Sequence, residues 1–199
     1  MNIANNIETY ITIAAVSLSL AASYFIVRNN WKRYGLVFLL TGLVGNILCY
    51  IFVKLCLYSF PYRLFQGISI MPFEAILTVF PFYVILGVRY SPTGWAYKIP
   101  FYWVIVHFGL LTETLAHNYT HLIHYDFAWD FWDSYTWWWI FLLLFECIGG
   151  LIVPGRHRKP IPTEAFRYGK WAWWILHFTV IVTIFLGGYY LAAQQLYHK

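Results

Sequence analysis

The chain has 199 residues, of which 61% are hydrophobic and 11% charged, with a formal net charge of +5. Soluble domains carry roughly 25% charged residues, and 13 Lys and Arg with 8 Asp and Glu cannot cover a water-soluble domain of this size. An ordinary cytosolic enzyme, a disordered tail and a secreted disulfide scaffold are thereby excluded. What remains is an all-α integral membrane protein.

A membrane-crossing helix needs about 20 mostly apolar residues. Six stretches qualify: residues 7–27, 35–58, 68–88, 99–123, 135–153 and 171–191. They predict one polytopic transmembrane helical bundle over residues 1–199. The first span carries Glu8 and no Lys or Arg before Arg28, so it reads as a retained helix and not as a leader. The second has a small, weakly polar stripe, Gly42, Gly45, Asn46 and Cys49, suited to close helix approach. In the third, Glu74 shares a face with Thr78 and Pro81, and the proline frees a backbone carbonyl near Leu77.

The fourth span carries the sharpest pattern, Glu113, His117, His121 and His124. On a continuous helix of ~100° per residue these four fall in one sector of about 80°, with Leu111, Leu115 and Leu122 opposite. Such a face must meet other helices or water. His117, His121 and His124 are candidate metal ligands, since imidazoles one turn apart can share an ion. A wet interface with structural hydrogen bonds is the plainer reading.

By depth, His107, Glu146 of the fifth span and His177 of the sixth fall about 9–12 Å below one membrane face at 1.5 Å per residue. They could ligate a haem, clamp one another, or form the inner part of a cation path. Ordered by depth, Glu146, Glu113 and Glu74 make a ladder that either conducts charge or locks packing. Arg63 could pair with Glu74 or an aspartate.

Arg28, Lys32, Arg33, Arg89, Lys98, Arg156, Arg158, Lys159, Arg167 and Lys170 fall on one side of this bundle, and only Lys54, Arg63 and Lys199 on the other. The bias predicts both termini outside the cytoplasm. Arg156, Arg158 and Lys159 then meet anionic headgroups. Cys49, Cys56 and Cys147 have neither metal nor disulfide spacing. Zincin and serine-hydrolase motifs are absent, and seven His are too few for desaturase boxes.

Phe60-Pro61-Tyr62-Arg63, Phe73-Glu74, Phe80-Pro81 and Arg89-Tyr90-Ser91-Pro92, with the later run from Glu113 to Trp139, resemble a family of uncharacterised small multi-pass membrane proteins. These occur mostly in spore-forming Gram-positive bacteria. The resemblance covers residues 60–139 and implies a helical bundle in a bacterial cytoplasmic membrane. Arg63, Glu74, Pro81 and Glu113 match its pattern, and His117, His121 and His124 lie outside it.

The leading expectation is a non-enzymatic protein for cation- or proton-coupled transport. A metal- or haem-binding redox protein and an assembly subunit are the alternatives. The lipid bilayer is the implied partner, a small cation or proton the implied cargo, and a membrane-protein partner or second copy stays open. Nothing in the pattern suggests nucleic acid.

Overall fold

The computed structural model describes residues 6–28, 30–126, 128–166 and 169–197, without the side chains of 191, 192 and 195–197. Arg167, His198 and Lys199 lie outside the described residues. Six helices follow in order: α1 (Ile7–Val27), α2 (Trp31–Lys54), α3 (Phe73–Tyr90), α4 (Trp95–Tyr119), α5 (Phe131–Ile152) and α6 (Gly169–Tyr197). Each is long and apolar enough to cross a membrane. Two short strands, β1 (Tyr58–Ser59) and β2 (His124–Tyr125), pair antiparallel with Tyr58 opposite Tyr125.

The helix ends have local causes. The Asn6 side chain caps α1 by accepting from Thr9 N at 3.0 Å. Helix α2 stops before Cys56, whose φ of 55° turns the chain toward β1; Tyr58 is therefore outside the span expected to contain it. Residues 68–72 are not helical, so α3 begins at Phe73 and not at Ile68. Gly94, at φ 90°, opens α4. Helix α5 begins earlier than the apolar run because Asp130 and Asp133 form a capping box. Asp130 accepts from Trp132 N at 2.7 Å, and Asp133 accepts from Asp130 N at 2.9 Å.

Helix α4 ends at Tyr119, followed by Thr120 in extended conformation. Asn118, Tyr119 and Thr120 are weak helix formers, and β2 gains a strand partner by leaving the helix. His121 and His124 therefore do not continue the face of Glu113 and His117.

Helix α3 sits among α1, α2 and α5; α4 packs on α5, and α6 on α4. Tyr34, Val84, Ile85, Val88, Tyr102, Val106 and Phe145 form the buried centre. The small stripe of α2 fits the Pro81 region: a Cβ on Gly42 would stand 3.1 Å from Leu77 Cδ2 and 3.6 Å from Leu77 O. Here the glycine eases a close approach in which a Cβ would press on the Leu77 side chain. Leu39, Phe108, Leu151 and Phe185 stay exposed on outer faces, as contact with lipid requires.

A second proline ties α6 down. Pro100 has no N–H for Ala96 O, four residues back. His177 Nε2 of α6 reaches that carbonyl at 2.9 Å, and its Nδ1 lies 2.8 Å from Trp173 O.

The bundle has two distinct ends. Tyr62 N donates to His121 O at 2.8 Å, Asp126 N to Leu57 O at 3.1 Å, and His121 N to Glu8 Oε1 at 3.3 Å. These bonds join the start of α1 to the loops after α2 and α4. At the other end, Arg33 Nη1 donates to Ile152 O at 2.7 Å, and Lys159 N to Arg89 O at 2.8 Å.

Candidate functional site

Two carboxylates organise the polar interior, the buried Glu146 and the half-buried Glu113, one toward each end. At the basic end Glu146, 2% exposed on α5, is met by two cations. Lys98 Nζ of α4 and Arg158 Nη1 of the 154–166 loop both pair with Oε1, the latter at 2.7 Å. Tyr102 OH donates to Oε2 at 2.7 Å, and Ser91 Oγ lies 3.2 Å from both oxygens. Arg158 also donates through Nε to Val153 O at 2.9 Å. The group thus links the end of α3, the start of α4, α5 and the following loop, beside a cavity of ≈ 620 Å³.

Several expectations change here. Neither His107 nor His177 is hydrogen-bonded to Glu146: His107 Nδ1 turns back to Trp103 O at 2.7 Å, and both His177 nitrogens face carbonyls. Equal depth along the helices does not by itself bring the three side chains together, and with both nitrogens at carbonyls His177 is not free to ligate a haem. Arg158 is 9% exposed at its side chain and faces inward, because a buried carboxylate outcompetes headgroups for it. Arg156 and Lys159 remain exposed.

At the opposite end Glu113 of α4 is held by neutral donors alone. Oε1 accepts from Tyr125 OH at 2.8 Å and from Ser134 Oγ at 2.6 Å. Oε2 accepts from Trp138 Nε1 at 2.8 Å. Indole N–H can only donate, which defines Oε2 as an acceptor. Trp129 Nε1 completes the chain by donating to Ser134 Oγ at 2.8 Å. Burial first, and then the Glu113 charge, push the Tyr125 phenol above its ordinary range, so it stays protonated and able to donate. Among the described residues no cation lies within ion-pair distance of Glu113; the two ion pairs there are both on Glu146.

Glu113 also lines a cavity of ≈ 310 Å³ between α1, α2, α3, α4 and α5. Its walls are mostly apolar and aromatic, including Phe52, Tyr58, Phe80, Trp129 and Trp138, with Thr12, Cys49, Thr112 and Ser134 among them. Sequence reasoning found Glu113 but missed the groups that hold it. Ser134 and Trp138 are four residues apart on α5, a spacing that puts them on one face and could have marked them. Tyr125 gives no such signal, since a strand pairing brings it in.

The remaining candidates are dispersed. His117 stacks on Tyr125, with ring centroids 4.3 Å apart, and its centroid lies 5.9 Å from that of His124. His121 and His124 are exposed. Among the described residues no group of three or more His, Cys, Asp or Glu is arranged to hold a metal ion, because the expected triad is divided between helix, turn and strand. Among the described residues neither buried Glu74 carboxylate oxygen has a hydrogen-bond partner, and Glu74 does not line the aromatic cavity. Arg63 Nη1 donates to Phe60 O rather than pairing with Glu74.

Six apolar helices around a buried glutamate define a multi-pass membrane protein in contact with the bilayer. No family model, curated protein or solved structure matches the chain.

Proposed function

We propose that this protein binds a cation or proton at Glu113 and moves it, or a solute coupled to it, across the membrane. The observation that carries this reading is the Glu113 site itself: a carboxylate held by three neutral donors, without a counter-cation among the described residues, on the wall of a cavity. A negative charge so placed keeps its potential for a mobile partner, and charged groups at membrane depth ordinarily mark such pathways. Glu146 cannot do this while two cations occupy it, and it acts as an anchor. Glu74 and Arg63 stand apart from the cavity and belong to the supporting end structure.

The basic end faces the cytoplasm in this reading, by the positive-inside bias, which puts both termini outside. The short family pattern around Arg63, Glu74, Pro81 and Glu113 favours a bacterial cytoplasmic membrane. The test is proton or cation flux in liposomes holding the purified protein. Glu113→Gln should abolish flux while the protein stays folded; unchanged flux would reject the assignment.

A further inference from the structure

The Glu113 cavity differs from a site for a hard metal ion. Calcium takes six to eight oxygen ligands and magnesium demands a near-ideal octahedron. Here one carboxylate stands on a mostly carbon wall whose Thr12 and Thr112 hydroxyls already donate to backbone carbonyls, and its own oxygens already accept three hydrogen bonds. A small ion would lose its water shell and find little in return.

Aromatic rings pack against one another along the cavity wall. Phe52 sits 5.2 Å from Trp129, centroid to centroid, and Tyr58 meets Trp129 edge-on at 5.2 Å. Phe80 stacks on Trp138 at 4.9 Å with an interplanar angle of 11°, and Trp138 also holds Glu113. Ring faces attract cations, most strongly where water is excluded, and aromatic cages suit quaternary ammonium groups. The cavity volume of ≈ 310 Å³ matches the lower range of small-molecule sites, about 300–1,000 Å³.

We propose that this cavity is a binding site for a small lipophilic organic cation, an alkyl- or arylammonium, with Glu113 as its counter-charge and the Phe52, Tyr58 and Trp129 rings along its wall. An organic cation carries apolar surface that the walls bury, and its diffuse charge costs less to dehydrate than that of a metal ion. One carboxylate without a cation neutralises one such charge. The proposal rests on Glu113 being the loading group of the transport reading and names the class of cargo.

Full-length protein in mild detergent is titrated with benzyltrimethylammonium, followed by calorimetry and by the fluorescence of the lining tryptophans. Neopentylbenzene, its neutral isostere, is titrated in parallel. Saturable binding is expected, about tenfold or more tighter for the cation than for the isostere, and that preference should disappear in Glu113→Gln. Phe52→Leu should weaken the cation severalfold while leaving some preference. Equal affinity for both compounds in the wild-type protein, or no saturable binding of the cation, overturns the proposal without any variant having to fold. Selective cation binding without flux would overturn transport and leave this site standing. Proton flux that depends on Glu113, with no preference for the cation, would do the reverse.

Discussion

Glu146 and Glu113 lie on adjacent, mutually packed helices, toward opposite ends of the bundle, and their negative charges are met by opposite means. Glu146 has two cations, a phenol and a serine hydroxyl. Glu113 has a phenol, a serine hydroxyl and an indole, with no cation. Even the supports match: Gly87 lies under the Tyr102 ring and Gly109 under the Trp138 ring, so that a Cβ at either would come within 2.7 Å of ring carbon. What separates the two ends is the compensating charge. A charge that is already paired in low dielectric has little attraction left to offer, whereas one held by dipoles still draws a mobile cation.

That comparison can be broken most directly at Glu146. Glu146→Gln strands Lys98 and Arg158 without their carboxylate and should cost about 3–5 kcal/mol of stability, read as a loss in denaturant or thermal unfolding in detergent. A change within the error of that measurement would mean the ion-pair group is not the anchor. Gly87→Ala and Gly109→Ala sharpen the comparison by pushing one aromatic donor away from each carboxylate. Each should destabilise by about 1–3 kcal/mol through overpacking; only Gly109→Ala should also lower flux or cation binding, and equal functional loss in both would erase the distinction.

His177→Ala tests α6 separately from both carboxylates. It leaves the Ala96 carbonyl without its partner beside Pro100, at a cost of about 1 kcal/mol. Hydrogen exchange should quicken in α6 while α3 and α5 stay protected; uniform exchange would assign α6 to the common core. The smallest stability effect is expected at Glu113 itself. In Glu113→Gln the amide oxygen can take the Trp138 N–H, and the Tyr125 and Ser134 hydroxyls can rotate to accept from the amide nitrogen. The loss should stay within about 1 kcal/mol while flux disappears; a large loss of stability would make Glu113 a second anchor.

How much of this was legible beforehand depended on whether a signal was local. Six apolar runs, the small-residue stripe of Gly42 and Gly45, and Glu74, Glu113 and Glu146 as acids within the spans all follow from spacing along a single helix. The partners did not. Lys98 counted only as a topology charge, and Arg158 as a headgroup ligand, because nothing in a one-dimensional pattern says which loop folds under which helix end. The His117–His121–His124 face failed for a related reason: the wheel assumes a continuous helix, and the chain exchanges its last turn for a strand pairing with Tyr58 and Ser59, over sixty residues earlier.

By itself, then, the sequence determined that this chain enters a bilayer as six helices, since hydrocarbon admits long apolar runs with internally satisfied backbones and little else. It also marked Glu146 as an acid that would be buried with them, but not Glu8. Only the tertiary structure decided which acid is neutralised and which is left to attract a cation. That choice depends on side chains from α3, α4, α5 and two loops meeting at one point, and electrostatic energy is set by distance in space, not by separation along the chain.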